Sequence, residues 1–106
     1  MHFAIVEYDD TWLRDSGPLT LRGGKDDFEL LDFRFDAWGE KFAAARADQL
    51  VESLFSQHAF ASGRRTAIDF VLEGGSIETD GAGTLLTTWM CLHRRHPELS
   101  RVQLAE

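Results

Sequence analysis

Three carboxylates, one guanidinium and one indole fall within seven residues near the start of the chain: Asp9, Asp10, Trp12, Arg14 and Asp15. A carboxylate beside an aromatic face suits a planar cation such as a guanidinium, through paired charge-assisted hydrogen bonds and cation–π contact. The same residues also fit an Asx turn at Asp9 and Asp10, a core Trp12 and an Arg14–Asp15 surface ion pair, and residue types alone favour that plainer arrangement. A second candidate is Glu73, which follows the β-prone run Ile68 to Leu72 and precedes Gly74 and Gly75. A carboxylate so placed is partly buried and needs a partner or a shifted pKa. The two glycines either admit a ligand to the backbone or serve a bulge, and the residues alone favour the bulge. Asp69 and Glu78 read as solvent-facing strand residues.

Other candidates fail on chemistry. Cys91 sits in the apolar TTWMCL with no flanking base, the setting of a small core residue with an unreactive thiol. His93 and His96, three apart, could reach one metal, but cations surround them and no nearby carboxylate completes a ligand set, so no metal site is expected. The GGK around Lys25 lacks the flanking residues of a phosphate loop. Arg94 and Arg95 are too few for nucleic acid, and eighteen acidic against eleven basic side chains, a formal charge of −7, argue against a phosphate backbone and toward cationic ligands. A single cysteine excludes an internal disulfide and a thiolate zinc cage. No run of about 20 apolar residues spans a membrane, and MHFAIVEYDD lacks the basic start of a signal peptide, so a soluble, reducing compartment is the default.

These residues must be held by a mixed α/β framework. His2 to Tyr8 reads as a short buried strand ending in the loop from Asp9 to Pro18. LTLR and FELLDFRF flank GGKDD as a hairpin whose second strand stops near Asp36. From Lys41 to His58 the spacing of Phe42, Ala45, Leu50, Leu54 and Phe55 predicts one helix, with Arg46, Asp48, Glu52 and Gln57 opposite. Gly63 to Thr66 reads as a connector and AIDFVL as a strand. TDGAG between SIE and TLLTT predicts a second hairpin with glycines at positive φ. Thr88 to Arg95 reads as a short helix stopped by Pro97, and Ser100 with Gln103 as a capping box. Six residues after Ser100 are too few to stand as a helix alone, and Met1 leads straight into a strand; both features predict an excerpt from a longer chain.

Taken together, DDTWLRDSGP, FRFDAWG and FVLEGGSIETDGAGTLLTTWMCL resemble, in order and spacing, the agmatine deiminase family of guanidine-modifying enzymes, also called peptidylarginine-deiminase-like proteins. The resemblance runs over almost the whole chain, including HPELSRVQ, and overrides the plainer readings above. It implies an α/β pentein, a five-bladed propeller of ββαβ modules around a central active site. Residues 1–106 would form part of that single domain, about one to two modules. It further implies hydrolysis of agmatine to N-carbamoylputrescine and ammonia through a covalent cysteine–amidino intermediate, in the cytoplasm, with water as co-substrate and no cofactor. By resemblance Asp15 is one of two aspartates clamping the guanidinium, Trp12 lines the same pocket, and Glu73 orients the catalytic histidine.

The departures are informative. The family's His-x-Asp motif and its nucleophilic cysteine have no counterpart in these 106 residues, and Cys91 matches a non-catalytic cysteine. The isolated chain is therefore expected to be inactive. Two alternatives remain: a deiminase acting on free or peptidyl arginine, and a non-catalytic pentein-derived binding module. Exposed module edges predict self-association into a homo-oligomer; neither nucleic acid nor membrane is expected as a partner.

Overall fold

A computed structural model describes residues 3–25, 27–60 and 63–105. After an irregular segment and the one-turn helix α1 (Leu13–Ser16), β1 (Leu19–Arg22) and β2 (Phe28–Arg34) form the first predicted hairpin, Leu19 opposite Leu31 and Arg22 opposite Phe28. A left-handed turn, α2 (Ala37–Glu40), and two short helices, α3 (Ala45–Asp48) and α4 (Leu50–Ser56), follow before β3 (Arg64–Val71) returns parallel to β2. Parallel neighbours need a crossover of a dozen residues or more, which the helical segment supplies. The sheet order β1-β2-β3 with that crossover is one complete ββαβ unit. A 3₁₀ turn at Gly74–Ser76 leads into the second hairpin, β4 (Ile77–Thr79) and β5 (Leu85–Thr87), with Gly81 and Gly83 at positive φ as predicted. Helices α5 (Trp89–Arg95) and α6 (Arg101–Ala105) follow. Thr88 caps α5 by accepting the Cys91 N–H, and Ser100 and Gln103 form the expected capping box.

Three expectations change. Residues 3–8 form no strand, and His2 lies outside the described residues. Phe3 and Ile5 are 84% and 87% exposed, and the Ile5 carbonyl accepts Gln57 Nε2–H rather than a ladder bond. β-forming residues make a strand only where a neighbouring strand takes up their backbone groups. The single helix over Lys41–His58 is two, broken at Gln49, and Lys41 to Ala44 stay outside it. Its buried stripe is Ala47, Leu50 and Val51, while Phe42 is 66% exposed. A carboxylate explains the changed phase: Asp48, expected on the outer face, turns inward to accept the Phe35 N–H at 2.7 Å. Finally, Arg64 to Thr66 belong to β3 instead of a connector. Asp69 and Glu78 face solvent, as read.

The core gathers Phe35, Ala37 and Ala47, with Tyr8, Trp38 and Ala44 packed against them. On β2, Asp32 is buried and accepts Arg65 Nε–H at 2.7 Å, and the same guanidinium lies 3.5 Å from Glu52. Burial raises the Asp32 pKa above its ordinary 3.8, outweighing the pull of Arg65, and the charges of Asp48 and Glu52 push the same way. The folded state thus holds this proton more tightly than the unfolded chain. The stabilising contribution of Asp32 is complete below pH 3.8 and is lost as pH climbs through the raised value. In urea unfolding, the stability of wild type relative to Asp32→Asn should therefore fall with rising pH across that window and then level off. A difference that grows with pH would contradict this assignment.

Candidate functional site

Asp10 sets up the first wall of the site. Its carboxylate accepts the backbone N–H groups of Thr11 and Trp12, an Asx turn that launches α1. Asp9 does not share that turn; it accepts the Arg46 N–H at 2.9 Å and ties the loop to α3. Ser16, buried at the end of α1, bonds Tyr8 Oη at 2.7 Å, and Gly17 N–H closes the turn on the Leu13 carbonyl at 2.8 Å. This one-turn helix aims the half-buried Asp15 at the segment after β3.

There Gly74 and Gly75 make room. A Cβ on Gly74 would stand 2.3 Å from the Arg14 carbonyl oxygen, and one on Gly75 would stand 2.1 Å from Asp15 Oδ1. The glycine pair lies in a 3₁₀ turn, not a bulge, and its use is close approach. Gly75 N–H donates to Asp15 Oδ1 at 2.9 Å, and Trp38 Nε1–H donates to Oδ2 at 3.1 Å. Among the described residues each carboxylate oxygen thus accepts one hydrogen bond, and a carboxylate oxygen has room for a second donor. A Gly75→Ala variant should force α1 off this turn and lose about 1–3 kcal/mol, the usual penalty for overpacking. Its urea midpoint reports this; an unchanged midpoint would mean that the close approach does not contribute.

Glu73 is 4% exposed. Its partner is Arg95, which donates to Oε1 from Nε at 2.6 Å and also from Nη2. Ser76 bonds the Glu73 carbonyl through both N–H and Oγ, fixing the chain into the turn. Arg95 Nε also lies 3.6 Å from Asp36 Oδ1, and Asp36 accepts the Gly39 N–H at 2.8 Å. Two carboxylates from different motifs therefore share one nearly buried guanidinium.

Asp15 and Glu73 are both tied to the glycine turn, Asp15 through the Gly75 N–H and Glu73 as the residue that precedes it. Trp12, which precedes α1, is 62% exposed, so it is not the core residue that the plainer reading required. The Arg14–Asp15 ion pair does not form either, because Arg14 Nη2 reaches the Ile77 carbonyl at 3.4 Å and Asp15 turns to Trp38 and Gly75. The histidines pack as structural rings. His96 stacks on Phe70 at 3.7 Å and donates from Nε2 to the Val71 carbonyl, while His93 stacks on Trp89 at 4.5 Å. Cys91 is half-buried on α5. An apolar cleft of about 440 Å³ is lined by Arg14, Leu19, Leu31, Phe70, Leu85 and neighbours, and excludes Trp12, Asp15 and Glu73.

Trp38, Asp36 and Arg95 were not singled out from sequence. The need for a cation beside Glu73 was legible, and α5 offers Arg94 and Arg95. Trp38 stands in the motif FRFDAWG, but no pairing requirement ties it to Asp15, because it reaches that carboxylate only through a left-handed turn.

The whole chain, residues 1–106, matches the family described as Porphyromonas-type peptidyl-arginine deiminase. An agmatine deiminase of Pseudomonas aeruginosa is 42% identical over 106 aligned residues, covering 93% of this chain and 28% of that enzyme. A C. jejuni agmatine deiminase solved with substrate bound superimposes with a TM-score of 0.87 at 33% identity, over 97% of this chain and 31% of its own. An Enterococcus faecalis agmatine deiminase gives 0.80 at 34% identity, over 94% and 29%. The chain thus spans roughly 30% of the length of the relatives it matches.

Proposed function

Because the chain belongs to the Porphyromonas-type peptidyl-arginine deiminase family, a pentein fold of mixed α/β class, we propose that it supplies the substrate-gripping wall of a site that hydrolyses agmatine to N-carbamoylputrescine and ammonia. One observation carries this reading: the three motifs of the sequence converge on a single carboxylate, Asp15, braced by Gly75 from one motif and Trp38 from another. A guanidinium is a poor electrophile because resonance spreads its charge. Asp15 accepts its N–H groups and holds its plane fixed, so that orientation and a preset charge lower the barrier. A cysteine thiolate adds to the central carbon, a histidine hands a proton to the departing ammonia, and water then attacks the S-amidino carbon, breaking the C–S bond to restore the cysteine and leave the ureido product. The thiolate and the His-x-Asp histidine have no counterpart here and belong to the remaining length of the relatives. Glu73 is the carboxylate that orients that histidine, and Trp12 closes over the substrate from the edge of α1.

The agmatine deiminases among the relatives support agmatine over arginine as the substrate, and the product of that reaction would lead toward putrescine in polyamine metabolism. Residues 1–106 act as part of one domain, the complete ββαβ unit and the hairpin that follows it. Exposed Leu85, Leu86 and Met90 support self-association. A cytoplasmic location goes with the family resemblance, and no helix among the described residues is long and apolar enough to cross a membrane. The test is a chimera in which these 106 residues replace the matched segment of the P. aeruginosa enzyme. It should release ureido product from agmatine in preference to arginine, and the isolated chain should release none. A folded chimera that turns over arginine better, or nothing at all, overturns the reading.

A further inference from the structure

Asp15 is only as well placed as the two donors that hold it, and both donors stand on segments anchored by one side chain. Gly75 follows Glu73, whose Oε1 takes two N–H groups of Arg95. Trp38 lies in a turn that Asp36 caps, and Asp36 is 3.6 Å from the same guanidinium. That turn is unusual. Ala37, Trp38, Gly39 and Glu40 take φ values of 52°, 62°, 86° and 59° in succession, and three of them carry a Cβ. Left-handed backbone at residues other than glycine is unfavourable and persists only where its surroundings hold it. Arg95 reaches this turn directly, since a Cβ on Gly39 would meet Nη1 at 3.0 Å. Its side chain is 10% exposed, and its planar fork lies between two carboxylates that a flexible ammonium cannot serve together.

We propose that Arg95 is a positioning residue for substrate binding: by joining Glu73 to Asp36 it sets the Gly75 N–H and the Trp38 indole on the two oxygens of Asp15. It acts at a distance, through the donors, and touches no substrate. Its importance for binding rests on the role assigned to Asp15 above, but its effect on Asp15 is measured without any substrate.

The experiment reads the indole N–H resonances of the full ¹⁵N-labelled chain, whose three tryptophans, Trp12, Trp38 and Trp89, report from different places. Asp15→Ala assigns the shift that Trp38 takes when its acceptor is gone. Arg95→Lys keeps the charge but spans only one carboxylate. It should move the Trp38 resonance toward the Asp15→Ala position and speed its exchange with solvent by about tenfold or more, the scale of a lost hydrogen bond to a charged group. Trp12 and Trp89 should stay in place. An unmoved Trp38 overturns the proposal. If Arg95→Lys collapses the spectrum, Asp36→Asn is read in the same way, because it keeps the cap and the Glu73 pair and removes only the charged arm to the turn. A Trp38 shift there supports the proposal, and no shift overturns it. Because no agmatine is involved, a null result here leaves the deiminase reading standing, and an inactive chimera leaves this one standing.

Discussion

Asp15→Asn should lower kcat/KM for agmatine in the chimeric enzyme by about 10²–10³, the cost of removing one preset charged group at a reacting centre. The reason is partly charge and partly direction. Asparagine keeps a single acceptor oxygen, yet the protein offers that side chain two donors, Gly75 N–H and Trp38 Nε1–H. One of them must then face the amide NH₂, so the side chain rotates or the turn opens. The lone oxygen is spent on the protein, leaving the guanidinium without its anionic partner. Asp15→Glu tests the directional part alone: the charge remains, but the extra methylene moves it into the space that Gly75 keeps open. Both variants should raise KM as well as lower kcat, because the clamp acts from binding onward. If Asp15→Asn retains activity within about fivefold, under 1 kcal/mol, the substrate's flat cation is held elsewhere.

What made this site legible was its turn chemistry and its one obligatory pairing. Short polar motifs between β-prone runs placed both hairpins, since turn residues act locally and need no knowledge of the rest of the fold. The burial of Glu73 followed from the apolar run before it. The failures share a different cause. The segment 3–8 carries β-forming residues, but strand pairing is a property of the neighbour and not of the run itself. The phase of the helical segment was misjudged because Asp48, a polar residue by type, satisfies a buried backbone N–H at Phe35. Trp38 escaped notice for the most instructive reason. Its indole is brought to Asp15 by four consecutive residues in left-handed backbone, three of which disfavour it, so local propensity pointed away from the structure adopted.

Glu73→Ala should cost about 3–5 kcal/mol of stability, because it strands a buried guanidinium. Arg95, with its side chain 10% exposed, would keep Asp36, at 3.6 Å, as its one carboxylate neighbour among the described residues. Glu73→Gln is the sharper comparison. It preserves volume and offers one neutral acceptor oxygen to the two Arg95 donors, so its loss should be clearly smaller than that of alanine. The gap between the two variants then measures what an acceptor contributes at this position, and the loss remaining in glutamine measures what charge adds. Urea unfolding of both gives the numbers. Equal losses for Ala and Gln would mean that the carboxylate's charge, and not its hydrogen bonding, holds Arg95. A loss under about 1 kcal/mol in Glu73→Ala would put the pair in the class of exposed ion pairs that contribute little. In that event the glycine turn, packed directly on α1, would be what fixes the position of Asp15.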